Sequence, residues 1–275
     1  MPEAPSPNEA ASAPTSTLDG WIRHPFTGGG LTYDCFEKGS GAGVVLIPEA
    51  PGITPEVLGL ADHLVGEGFT VVIPSPFGEP GREPTIGYTM RTVVRLCVSA
   101  EMRAFARNAH RPITDFLRAV AADLATRTPG RGVGVIGMCF TGGFALATAT
   151  DDAVLAPVLA EPAVPFPVSA QRRADAGVGP DELERVAARA RDDGLCVLGL
   201  RFSRDVSAPV ARFATLRERL GDAFEVIELD SSPGNPDGYS GRAHSVLTTE
   251  VRETPPNSAF AARRRVVEFL RERIV

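Results

Sequence analysis

The sequence predicts an α/β fold, a doubly wound and mostly parallel sheet with helices on both faces. Continuous apolar runs such as GVVLIPEA (43–50) and FTVVIPSP (69–76) have the pattern of strands buried on both faces. Between these two runs Thr54-Pro55 marks a helix start, and Val57, Leu58, Ala61 and Leu64 recur at helical spacing up to the glycines at 66 and 68. A strand, a helix and a strand within some 35 residues form a βαβ unit, which calls for parallel pairing.

The alternation continues down the chain. Leu31–Glu37 reads as an earlier strand. A helix opened by Pro112 follows, then the strand GVGVIG (132–137), a small-residue helix from Phe144 to Thr150, and the strand VLAPVLA (154–160). Residues 180–192 and 209–220 read as helices, LCVLGLRF (195–202) and FEVIEL (224–229) as strands, and Ser258–Ile274 as a closing amphipathic helix. Residues 1–17, rich in Pro, Ala and Ser, are expected to form a disordered tail, leaving 18–275 as one domain.

Composition narrows the functions. With 28 Lys and Arg against 34 Asp and Glu, a net charge of −6, there is no basic field for nucleic acid. No apolar stretch reaches the roughly 20 residues that span a bilayer, so no membrane partner is expected. The cysteines at 35, 97, 139 and 196 form neither a CxxC pair nor a zinc-spaced cluster. Without a signal-peptide pattern they read as reduced thiols in a cytoplasmic protein, with no metal expected.

Cys139 stands out. In VGVIGMCFTGG it follows Gly137 by two positions, at the junction of a buried strand and a helix of small residues. That is the setting of a nucleophile elbow, whose usual pattern G-x-S-x-G is here G-x-C-x-T, with Thr141 as the departure. Alone, Cys139 would read as a small core residue. Downstream, however, Asp205 follows the strand 195–202 and His244 lies between the last strand and the last helix. Nucleophile, acid and base in that chain order at successive strand ends are the order of the α/β-hydrolase fold. Taken singly, Asp205 reads as a turn former or the N-cap of the helix near Pro209, and His244 as an exposed loop residue. Histidines 24, 63 and 110 have no comparable address and read as surface or packing residues.

Four separated segments, IPEAPG (47–52), GMCFTGG (137–143), SRD (203–205) and AHS (243–245), resemble those of the dienelactone hydrolases, cysteine members of the α/β-hydrolase superfamily. The resemblance spans residues 43–275. It implies that Glu49, otherwise a helix-entry carboxylate, contacts the resting Cys139 thiol and takes its proton when substrate binds. It also implies an ester or lactone substrate, acyl transfer through Cys139 with His244 as base and Asp205 orienting it, and an oxyanion hole from the backbone N–H groups of Ala50 and Phe140. No cofactor is implied.

The resemblance also implies a substrate-carboxylate clamp with an arginine shortly after the histidine. Here SVLTTEV follows His244 and the first arginine is Arg252, so the expected substrate differs from dienelactone. The stretch 82–111 reads as a lid carrying Arg91, Arg95, Arg103 and Arg107, whose spacing equally suits a solvated helix face. The turn 231–243, rich in Gly, Pro, Asn and Asp, reads as a loop at the pocket mouth. Two rival functions stand beside hydrolysis: a non-catalytic binding protein on the same fold, and a thiol redox enzyme or sensor at Cys139.

Overall fold

The computed structural model describes residues 12–97, 112–164 and 167–275. Its sheet has eight strands in the order β1-β2-β4-β3-β5-β6-β7-β8. They are β1 (Ile22–Gly28), β2 (Leu31–Lys38), β3 (Gly43–Ile47), β4 (Thr70–Pro74), β5 (Val133–Met138), β6 (Val154–Ala160), β7 (Val197–Phe202) and β8 (Phe224–Leu229). From β4 to β8 all neighbours pair in parallel, while β1 and β2 form an antiparallel hairpin at one edge. This is the α/β-hydrolase fold.

The strand β1 is absent from the sequence expectation, for two physical reasons. It carries Pro25, which a strand tolerates only at an edge, and its side chains are largely exposed. It forms because Gly29 and Gly30, both at positive φ (56° and 77°), close a two-residue hairpin onto Leu31. Phe116 then pins it, with Phe26 and Tyr33 edge-on at 5.8 and 5.1 Å.

Helices α1 (Pro55–Gly66), α3 (Pro112–Arg127), α4 (Gly142–Thr148), α6 (Pro180–Asp192), α7 (Val210–Leu220) and α8 (Ser258–Ile274) lie close to their expected positions. Thr54 caps α1, its hydroxyl accepting from the Val57 N–H at 3.4 Å. A short α5 (Ala170–Ala174), capped by Ser169, was not expected; five residues give too little periodicity to read. Within the expected lid, α2 (Ile86–Cys97) is a helix with Ile86, Met90 and Val94 exposed; Arg103, Arg107 and His110 fall outside the described residues.

Alternate residues of β3 enter different cores. Val44 and Leu46 pack with α1 and α8, whereas Val45 and Ile47 pack with α3, α4, α6 and α7. Both faces are dry, which is why the strand reads as an unbroken apolar run. Of the stretch 1–17, residues 1–11 are outside the described set, and Pro14 to Ser16 lie along α1, with the Ser16 N–H donating to Pro55 O at 2.9 Å. Among the described residues no helix is long and apolar enough to cross a membrane.

Because fully buried Phe116 joins the hairpin to the core, Phe116→Ala is expected to cost about 3–5 kcal/mol of unfolding free energy. Denaturant titration measures this; a loss below about 1 kcal/mol would mean that the hairpin is held elsewhere.

Candidate active site

The site begins where β5 ends. Cys139 has φ 55°, a left-handed backbone uncommon for a residue with a side chain. The chain is forced there by a close approach: a Cβ at Gly137 would lie 2.3 Å from the Thr141 carbonyl oxygen and 2.8 Å from Ala145 Cβ. Thr141, the departure from the usual elbow pattern, has a structural task. Its hydroxyl accepts from the Met138 N–H at 2.9 Å and donates to Met138 O at 2.7 Å, with the Ile47 carbonyl at the end of β3 a further 3.2 Å neighbour. Thr141 thereby ties the elbow to its own strand and to the next one.

Asp205 and His244 meet. His244 Nδ1 donates to Asp205 Oδ2 at 2.6 Å, while Asp205 Oδ1 accepts from the N–H groups of Ser207 and Ala208 at 2.8 and 3.3 Å. Asp205 is therefore a turn former as well as the histidine's partner, and the cap position of α7 is Pro209. Burial is graded: the Asp205 side chain is 4% exposed, that of His244 27%. Burial alone would raise the Asp205 carboxyl, but the hydrogen bond and charge of His244 and the two backbone N–H groups hold it below its ordinary value. For His244, burial disfavours the charged form, yet the hydrogen bond to Asp205 and the influence of Cys139 win, pushing it up to about 12. With Nδ1 on Asp205, the second ring nitrogen is the one left to face Cys139.

Glu49 sits in the turn after β3 and is 8% exposed. Its two oxygens accept from the hydroxyls of Ser245 (2.8 Å) and Thr248 (2.6 Å). The resemblance implies a contact between Glu49 and the resting thiol; here the carboxylate oxygens accept from these two hydroxyls. Ala50 follows Glu49 and Phe140 follows Cys139. The strands that carry them are adjacent and parallel, with Ile47 opposite Gly137, so both residues lie at one end of the sheet.

Two further residues border the site. Glu161, directly after β6, is fully buried at φ 37°. Its Oε2 accepts from the Val246 N–H at 3.0 Å, and Oε1 has no hydrogen-bond partner among the described residues. Burial, then the charge of Glu49, raises its carboxyl well above the ordinary range. Arg212, fully buried on α7, donates to the carbonyls of Asp175 (2.5 Å), Pro162 (2.6 Å), Ser207 (2.9 Å) and Arg172 (3.3 Å). Burial pushes it down to about 10, against the nearby charges of Asp175, Asp205 and Cys139. Both had sequence signals: Glu161 shares the strand-end address of the other site residues, and Arg212 falls on the buried stripe with Leu216 and Leu220.

The other candidates lie apart. Arg91 is exposed on α2, and the side chain of Arg95 is outside the described set. Arg252 gives its Nη1 to the carbonyls of Thr249 and Val251. Arg204 is exposed; His24 lies 3.9 Å from Glu37, and His63 is half-buried in α1. The loop 231–243 is held internally by Asn235, whose amide donates to Ser232 O and Tyr239 O. Cys196 precedes β7 whereas Cys139 follows β5, two strands away in a parallel set, so these thiols sit at opposite ends of the sheet. Among the described residues no group of three His, Cys, Asp or Glu side chains is gathered to hold a metal ion.

A family model described as the dienelactone hydrolase family matches residues 32–274. The chain belongs to the dienelactone hydrolase family. It is accordingly an ester or lactone hydrolase. Solved structures agree on the fold. A putative dienelactone hydrolase from Klebsiella pneumoniae is 16% identical and superposes with a TM-score of 0.59, covering 92% of this chain and all of that one. A dienelactone hydrolase from Anabaena variabilis, 14% identical, gives 0.57 over 93% and 98% of the two chains. A promiscuous phosphotriesterase from metagenomic libraries, described as dienelactone hydrolase-like, gives 0.59 at 17% identity over 93% and 98%. No curated protein matches the chain.

Two predictions arise from this geometry. Thr141→Val keeps the shape but leaves the buried Met138 N–H unpaired, and is expected to cost about 1–3 kcal/mol, with Thr141→Ser restoring most of it. Equal denaturation midpoints for Val and Thr would remove the clamp from the account. The second concerns pH. Asp205, lowered from 3.8, contributes stability that is present above that value and lost on acidification; His244, raised from 6.5, contributes stability that is full below 6.5 and lost as pH climbs to about 12. The stability difference between wild type and Asp205→Asn should therefore be greatest between 3.8 and 6.5 and shrink on both sides. Urea titrations across pH check this, and a difference flat with pH would contradict it.

Proposed function

We propose that the protein hydrolyses an ester or lactone by acyl transfer through Cys139, with His244 as base and Asp205 orienting it. The observation that carries the reading is the His244–Asp205 pair, Nδ1 to Oδ2 at 2.6 Å, together with the left-handed Cys139, which is among the groups that raise the imidazole. The proton shared between the thiol and the raised imidazole rests on His244, and Sγ attacks the carbonyl carbon. The tetrahedral oxyanion faces the backbone N–H groups of Phe140 and Ala50. The C–O bond breaks as the imidazolium protonates the leaving oxygen, leaving a thioester on Cys139. His244 then removes a proton from water, the hydroxide attacks the thioester, and Sγ departs with the acid released.

Glu49 supports this arrangement through Ser245 and Thr248, which flank the base. To serve as the thiol's proton acceptor it would have to leave those hydroxyls. The substrate we infer is an ester without a carboxylate near the scissile bond. Arg252 is engaged with backbone carbonyls, and the segment that follows the base is held by the carboxyls Glu49 and Glu161. A cytoplasmic setting goes with a nucleophile that must stay reduced.

Cys139→Ala is expected to lower kcat/KM for p-nitrophenyl acetate at least ~1,000-fold. Wild type should prefer p-nitrophenyl acetate to its hemisuccinate counterpart, whose free carboxylate would face the carboxyls Glu49 and Glu161, by about 10-fold or more. Equal rates for the alanine variant would reject the nucleophile, and a preference for the anionic ester would reject the substrate class.

A further inference from the structure

Three carboxyl side chains converge on residues 244–248. Asp205 holds the His244 ring, Glu49 holds the hydroxyls of Ser245 and Thr248, and Glu161 holds the Val246 N–H. In the sheet β5 lies between β3 and β6, so Glu49 and Glu161 leave strands on opposite sides of the one that carries Cys139. The segment following the base is thus gripped from both sides of the elbow.

Glu161 is the odd member. It is 0% exposed, and its Oε1 has no hydrogen-bond partner among the described residues. Its backbone is left-handed at φ 37°, where a side chain is strained and glycine sits freely. It is fastened beside the nucleophile: its N–H donates to Leu200 O at 2.8 Å, and two residues on the Ala163 N–H donates to Cys139 O at 3.0 Å. The charged groups facing it are Glu49 after β3, Asp205 after β7 and His244 after β8. A neutral carboxyl avoids an unpaired charge in this dry position, with Oε2 as the carbonyl that accepts from Val246 and the proton on Oε1.

We propose that Glu161 is a positioning residue that stays protonated through the reaction and holds Val246, and through it His244, in register with Cys139. The inference rests on Cys139 and His244 being nucleophile and base. Neutrality matters because a further negative charge beside His244 would stabilise the imidazolium and hinder its proton transfer to the leaving oxygen. Ionisation of Glu161 at alkaline pH should therefore depress kcat.

The test compares wild type, Glu161→Gln and Glu161→Gly in kcat and KM for phenyl acetate across pH, with thermal unfolding alongside. Glutamine copies the neutral acid, so it should keep kcat at neutral pH within about 3-fold and lack the alkaline fall. Glycine relieves the left-handed backbone but removes the grip, and should lose about 10-fold or more in kcat with KM within about 3-fold. A glycine variant as active as wild type would make Glu161 merely structural. A glutamine variant that retains the alkaline fall in kcat, or that loses as much activity as glycine, would overturn the neutral carboxyl. Failure of the underlying reading would show separately, as undiminished activity of Cys139→Ala in the same assay.

Discussion

The rest of the site hangs on the approach of α4 to the end of β5. Thr141 O passes so close to Gly137 that no side chain fits at that position. The chain must therefore turn sharply between the two, and Cys139, at the apex, takes the left-handed backbone. Such strain persists only where surrounding structure over-determines it. Here the Thr141 hydroxyl on Met138 and Ile47, and the Ala163 N–H on the Cys139 carbonyl, supply that constraint. A thiol that would otherwise be packed into the core is thereby lifted to its edge.

Once the elbow is set, the parallel sheet delivers the other groups. Glu49, Cys139, Glu161 and Asp205 each follow a strand, in the spatial order β3, β5, β6, β7, and the loop after β8 brings His244 across them. The charges are handled differently from one another. Asp205 is satisfied by a ring nitrogen and two backbone N–H groups, Arg212 only by carbonyls, and Glu161 by one N–H. A buried charge without full pairing is costly. Glu161 avoids that cost as a neutral acid, while Arg212 stays a cation beside Asp205, where it favours the carboxylate.

Much of this was legible in the residues. Buried parallel strands announce themselves as unbroken apolar runs, and the order Cys139, Asp205, His244 at successive strand ends carries the site because topology converts chain order into proximity. What escaped has a weaker signal or none. The β1 hairpin depends on Gly29 and Gly30 and on tertiary contacts from Phe116, not on its own apolar pattern. Glu161 and Arg212 are charged residues whose burial is decided by neighbours distant in sequence. Glu49 was found only through the resemblance, and its actual partners, Ser245 and Thr248, lie almost two hundred residues away. Thr141, which looked like a defect in the elbow, turned out to be the side chain that fastens it.

The most direct test of the central claim, that Cys139 carries the acyl group, is intact-mass spectrometry of the enzyme quenched during turnover of p-nitrophenyl acetate. A single acetyl adduct that maps to Cys139, appears before steady state and is absent from Cys139→Ala is the predicted result. Full turnover with no adduct on Cys139, or an adduct that maps to another residue, would contradict it.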